Sequence, residues 1–287
     1  MINRIKTNFL TIFKYFLSCW GALSALAGLW LSFFSWDDMG IDSKIQRILI
    51  LAGIICIGLL IATLTVLFRN QKRISGDINK GLSLCYNDII KLGFPQKMVS
   101  KRIIVIPVNR CFDLSCKNNL ISEKSIHGQW INNLIDTKQK AQELHLLIQN
   151  DLQKRNIPCE LLSKKEKPEG NLKRYPAGTV VSIPGENNIT YYLLALSSFD
   201  DKLRAHCSES EFYETIQGLL KHYDCNGQGI DMYCPVMGDH IVRPTRDTND
   251  IIDLMLSIFK FNKSLIHGNI HLVVYNKMKN DISILDR

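Results

Sequence analysis

The chain has 287 residues, of which 46% are hydrophobic and 22% charged, with nine cysteines and a formal net charge of +8. Residues 1–75 hold eight Lys and Arg against three Asp and Glu, so most of the basic excess sits near the N-terminus. The remainder has no basic stripe interleaved with aromatics, which argues against nucleic-acid binding. The cysteines include no C-x-x-C pair, which argues against a disulfide framework and suits free thiols in a reducing cytoplasm.

Two uncharged apolar stretches come first, Tyr15 to Trp36 and Ile48 to Phe68. Each is some twenty residues, which as a helix covers about 30 Å, the thickness of a bilayer core. They predict a two-span transmembrane hairpin over residues 1–75. Arg4, Lys6 and Lys14 precede the first span, and Arg69, Lys72 and Arg73 follow the second. Asp37, Asp38 and Asp42 occupy the loop between them. The positive-inside rule then places both termini in the cytoplasm and the short loop outside. Small residues at helical spacing (Gly21 and Ala25, Ser24 and Gly28, Ala52 and Cys56) are either ordinary span composition or seams for helix association. No Asp, Glu, His or Arg lies inside either span, so a proton relay or selective transporter is disfavoured.

After a polar connector at residues 70–77, Ile78, Leu82, Cys85 and Ile89 recur at helical spacing and predict a connector helix within residues 76–100. Ile103 to Val108 (IIVIPV) reads as a fully buried strand. A long polar loop follows from Asn109 to about Gln129. Next comes a helix from about Asp136 to Arg155, and then a charged run, Lys164 to Arg174, expected to be an exposed turn. Strands at Gly178–Ile183 and Ile189–Leu196 flank the turn Pro-Gly-Glu-Asn-Asn. Ser208 with Glu211 forms a capping box that opens a helix running to about Tyr223. Ile230–Val236 is a strand, Asp247–Phe261 a helix, and Ile270–Tyr275 a last strand. This alternation predicts an α/β domain over residues 101–287, with a mixed central sheet flanked by helices and preceded by the all-α hairpin.

Ligands in such sheets bind beyond the carboxyl ends of strands. Two segments fall there. One runs from Asn109 through Phe112 and Asp113 to Ser125, His127, Gly128 and Gln129. The other holds Gly238, Asp239, His240 and Arg243. Arg243 suits a phosphate, Phe112 a stacked base, and the glycines close backbone approach. Asp113 and His127 are potential bases, but the sequence shows a partner for neither. No P-loop, G-x-S-x-G or H-E-x-x-H motif occurs. Cys111, Cys116 and His127 match no common zinc spacing. Accordingly no catalytic residue, metal or cofactor is assigned.

The segments IIVIPVNRCFD, ISEKSIHGQW, RYPAGTVVSIP, YYLLALSSFDDKL and MYCPVMGDHIVRP together resemble the macro domain of Thoeris-type antiphage effectors, over about residues 101–276. Some of these effectors join a two-span hairpin to the macro domain, as this chain does. The resemblance implies a cleft for a histidine-conjugated ADP-ribose derivative made from NAD by a partner TIR-domain enzyme. It implies that binding assembles the hairpins into a homo-oligomer that damages the lipid bilayer of the inner (cytoplasmic) membrane and stops phage spread. It places Asn109 near the ribose and adenine end, Ser125, His127 and Gly128 in the first ligand loop, and Gly238 at the start of the phosphate loop. Asp239 and His240 depart from the small residues expected there, and a carboxylate beside a diphosphate is unfavourable unless it points away. Two other roles stay open: a membrane-tethered ADP-ribosyl hydrolase, and a passive anchor for ADP-ribosylated partners.

Overall fold

A computed structural model describes residues 2–36, 38–77, 79–238 and 247–287, which divide into two compact units. The first unit comprises residues 1–72 and 277–287. A short helix α1 (Ile2–Thr7) leads into α2 (Phe9–Leu31), and α3 (Lys44–Phe68) returns beside it. Ser43 caps α3 by accepting from the N–H of Ile45. The helices meet along Gly58, Ala62 and Val66, which are buried and four residues apart, so they share one face. A Cβ at Gly58 would stand 3.6 Å from the Phe16 ring, an ordinary van der Waals contact, so Gly58 faces the other helix. The seam therefore runs through Gly58, and Gly21 and Gly28 have nothing within 4 Å of where a Cβ would be. Outside the seam, large apolar side chains such as Leu26, Leu29, Ile48 and Leu60 are exposed. Both helices are long and apolar enough to cross a membrane, with mean hydropathies of 1.4 and 2.8. The first helix starts and ends earlier than the sequence suggests, because Lys14 is accommodated within it and Trp36 lies beyond its end at Leu31.

The C-terminal tail belongs to this unit, whereas the sequence reading assigned it to the α/β domain. Its Ile282, Ile284 and Leu285 are buried. Thr7 Oγ1 donates to the Asn280 carbonyl at 2.6 Å, and Ser283 Oγ donates to Asn8 Oδ1 at 2.7 Å.

The second unit, residues 73–276, is built from β1 (Gln71–Gly76), β2 (Gly81–Asn87), α4 (Ile89–Gly93), β3 (Arg102–Asn109), α5 (Ile126–Leu134), α6 (Lys138–Lys154), β4 (Glu160–Leu161), β5 (Lys173–Arg174), β6 (Val180–Pro184), β7 (Ile189–Phe199), β8 (Ala205–His206), α7 (Glu209–Asn226), β9 (Asp231–Pro235), α8 (Thr248–Phe261) and β10 (Asn269–Tyr275). The main sheet runs β1-β2-β10-β9-β3-β7-β6, with β8 paired to β7. Strands β2, β10, β9, β3 and β7 are mutually parallel, and β6 is antiparallel to β7. Ile104, Ile106 and Val108 face one way with Trp130 of α5 and Leu144, Ile148 and Leu152 of α6. On the other face Tyr192 meets His222 of α7 edge-on at 4.8 Å, and α8 packs beside α7.

Two elements differ from expectation. The connector predicted as a helix is instead the strand β2 followed by the single-turn α4. Six of the seven residues of β2 are fully buried between flanking strands. The apolar residues at 82, 85 and 89 fit a helical period by coincidence, and burial on both faces removes the alternation that marks a strand. The loop expected from Asn109 to Gln129 ends early, because Ser125 accepts from the N–H of Gly128 and starts α5.

Candidate functional site

The carboxyl ends of β3, β7 and β9 open onto a cleft of about 440 Å³, within the range usual for small-molecule sites. Its walls are Pro107–Asn109 from β3, Leu196, Ser197 and Phe199 from β7, and Val236–Gly238 after β9. The turn Leu120–Ser122, the N-cap Ser125 and the first residues of α5, Ile126 and His127, close it. The segment after β9 is tied to the sheet by the Val236 N–H, which donates to the Val273 carbonyl at 3.0 Å. Gly238 takes φ +95°, a conformation open to glycine. Among the described residues lining the cleft no Lys, Arg, Asp or Glu occurs. The first-turn N–H groups of α5 have no acceptor within their own helix, and α5 begins at the cleft wall.

Two lining side chains hold buried polar atoms without a partner: Asn109 Nδ2 and His127 Nε2. Both residues are almost fully covered, at 3% and 6% exposure. The Asn109 amide is oriented from behind, since its Oδ1 accepts from the N–H groups of Cys111 (3.0 Å) and Asp113 (3.4 Å). Its Nδ2 is the atom left without a partner. Burial pulls His127 down to about 3, only partly opposed by a hydrogen bond with the Asp113 backbone. The ring is thus neutral at physiological pH. Its Nε2 is buried without a partner.

This arrangement has a measurable consequence. The unfolded chain binds a proton at His127 near pH 6.5 and the folded chain only near pH 3. Stability is therefore complete above about pH 6.5 and falls as the pH drops toward 3. At pH 4 the loss from this ring is about 3 kcal/mol. Urea unfolding of the wild type and of His127→Gln at pH 7 and pH 4 checks it, and the variant is expected to lose less stability between the two. Equal losses in both proteins would show that the ring does not sit there neutral.

Of the residues proposed from sequence, Asn109, Ser125, His127 and Gly238 meet at the cleft. Phe112, expected to stack on a base, is instead packed into the core edge-on to Tyr175 at 5.7 Å. Gly128 sits behind the wall, where it allows close approach of the Ser122 carbonyl. Gln129 is exposed and donates to the Lys124 carbonyl at 2.9 Å. Asp239, His240 and Arg243 lie outside the described residues.

Asp113 is likewise no part of the lining. Its carboxylate is 2% exposed and pairs at 2.8 Å with Lys167, which is 0% exposed. Burial pushes the Asp113 carboxyl up, while Lys167 and the Asn171 N–H pull it back. Lys167 belongs to the charged run expected to be an exposed turn. A lysine among lysines and glutamates carries no local sign of burial, and its partner stands far earlier in the chain. Ser197 and Phe199, also in the cleft walls, went unmarked because they read as ordinary strand and strand-end residues.

A family model described as Thoeris protein ThsA, Macro domain, matches residues 82–275. The match begins in β2 and ends at the last residue of β10, so it takes in both strands that flank the middle of the parallel sheet. No curated protein matches the chain.

Proposed function

We propose, from the premise that this chain belongs to the Thoeris ThsA macro-domain family, that it is a membrane-anchored antiphage effector gated by an ADP-ribose derivative. The observation that carries the reading is the pair of buried, unpartnered atoms, Asn109 Nδ2 and His127 Nε2, in a cleft at parallel strand ends. A buried polar group without a partner costs stability, and a bound ligand that pairs with both recovers it. The first turn of α5 offers N–H groups and a positive dipole end to a phosphate. The ligand is the histidine conjugate of ADP-ribose, made from NAD by a TIR-domain enzyme.

The two apolar helices anchor the chain in the inner membrane with both termini in the cytoplasm. Occupancy of the cleft favours a self-associated state, and the population shifts by the difference in ligand affinity between the two states. The open faces at Gly21 and Gly28 leave room for another helix to approach closely. Clustered spans then breach the bilayer.

Full-length protein in dye-loaded liposomes tests this. Added ADP-ribose or histidine-conjugated ADP-ribose is expected to release dye and raise the cross-linked oligomer. Asn109→Asp keeps the acceptor for the Cys111 and Asp113 N–H groups but replaces the donor edge with a carboxylate. It is expected to weaken binding by more than about tenfold, because a ligand acceptor then meets a carboxylate in place of a donor, and to abolish the release. Neither release nor oligomer with either compound would refute the effector reading, and turnover of ADP-ribosylated protein would favour the hydrolase.

A further inference from the structure

The hairpin that joins β7 to β8 closes one side of the cleft. Phe199 of β7 stands opposite Ala205 of β8 in the antiparallel register. Both line the cleft, together with Leu203 in the turn between them. Asp200 builds that turn. Its N–H donates to the Arg204 carbonyl at 3.2 Å, and its carbonyl accepts from the Leu203 N–H at 3.0 Å. Its Oδ1 accepts from the N–H groups of Lys202 (2.9 Å) and Arg204 (2.8 Å), and its Oδ2 from Arg204 Nε at 2.8 Å. The frame of the turn is thus made by Asp200 and by backbone, with no part for the Leu203 side chain.

Leu203 nevertheless sits at φ +57°. That conformation crowds a Cβ, and Gly or Asn is its ordinary occupant. The other described non-glycine residues at positive φ are four asparagines, Gln228 and Phe112. Phe112 is held there by a ring buried in the core. Leu203 is only half-buried, at the edge of that core, and it alone of these residues lines the cleft. Strain that the turn itself does not require, at a residue facing a cavity, is the kind retained where a ligand is held.

We infer that Leu203 is a specificity-determining residue of the cleft: with Phe199 and Ala205 it forms an apolar wall that packs against the face of a flat, uncharged ring of the ligand. A leucine supplies apolar contact area that glycine or asparagine lacks. The inference deepens the ADP-ribose reading and rests on it for the identity of the ring. ADP-ribose carries one such ring, its adenine, and the histidine conjugate adds an imidazole.

The test uses full-length protein in detergent micelles, titrated calorimetrically with ADP-ribose and with histidine-conjugated ADP-ribose. Thermal unfolding of the same samples is followed by scanning calorimetry. Leu203→Asn suits the positive φ but makes the wall polar. Leu203→Met keeps the wall apolar and suits the backbone no better than leucine. The two measurements are expected to rank the variants oppositely. The Asn variant melts at or above the wild-type temperature and binds about tenfold more weakly. The Met variant melts no higher than the wild type and binds within about threefold of it. A loss with both compounds assigns the wall to the adenine, and a loss with the conjugate alone assigns it to the added ring. An Asn variant that binds both compounds as the wild type does overturns the inference. So does an Asn variant that melts more than about 4 °C lower, because Leu203 would then be held by the fold. Failure of the wild type to bind either compound is a separate result, which overturns the ADP-ribose reading and takes the ring assignment with it.

Discussion

Asp113→Ala is expected to cost about 3–5 kcal/mol of folding stability, the usual loss when one partner of a buried ion pair is removed. The single substitution leaves the Lys167 ammonium fully covered, with two carbonyls but no counter-charge. It also strips the acceptor from the Asn171 N–H. For a domain of this size the loss corresponds to roughly 10 °C in melting temperature. Thermal unfolding of the full chain in detergent, followed by differential scanning calorimetry, measures it. The double variant with Lys167→Met should recover most of the loss, since replacing both charges by neutral groups is often near neutral. A loss below about 1 kcal/mol in the single variant, the scale of an exposed pair, would mean that water reaches the site.

Gly128→Ala should abolish ligand binding while leaving most of the sheet intact. Its added Cβ would run into the Ser122 carbonyl oxygen and stand 2.8 Å from Glu123 Cα, both of them backbone. That turn is already tight. The Ser125 N–H and Oγ both donate to the Ser122 carbonyl, at 3.0 and 2.6 Å, and the Gly128 N–H donates to Ser125 Oγ at 3.0 Å. No rotamer relieves a clash with backbone, so either the turn or the start of α5 must move. Ser122, Ser125, Ile126 and His127 all line the cleft, and binding geometry tolerates only about 0.5 Å of displacement. Calorimetric titration with histidine-conjugated ADP-ribose is expected to show at least about a hundredfold loss, alongside about 1–3 kcal/mol of destabilisation from overpacking. Wild-type affinity in this variant would show that the wall formed by the α5 N-terminus is not part of the ligand site. The contrast with Gly21→Ala, where nothing lies within 4 Å, separates a glycine needed for close approach from one that leaves a face open.

The candidate site was legible in part. Asn109, Ser125, His127 and Gly238 were found because a buried apolar strand, IIVIPV, and the strand before Val236 are strong local signals, and ligand loops follow such strands in parallel sheets. Phe112 and Asp113 were placed by adjacency to Asn109. Adjacency fails here because the chain turns sharply after β3, with the Phe112 N–H bonded back to the Asn109 carbonyl at 2.9 Å and Phe112 at φ +51°. The turn sends the Phe112 ring into the core and the Asp113 carboxylate to Lys167, away from the cleft. Gly128 belongs to the right stretch, and its part is to let the backbone close up.

By itself the sequence determined what local chemistry can determine: two apolar helices long enough for a bilayer, an α/β alternation, and the strand ends where a ligand cleft forms. Periodicity, hydropathy and capping act over a few residues, so they are written in consecutive letters. Only the tertiary structure decided that β2 is a buried strand, that the tail joins the hairpin, and that Lys167 is covered. Each of these depends on partners distant in sequence, as Asp113 and Lys167 stand 54 residues apart. Whether a lysine is solvated or sealed beneath a loop is set by what folds over it, and that information is carried by the packing of the whole domain.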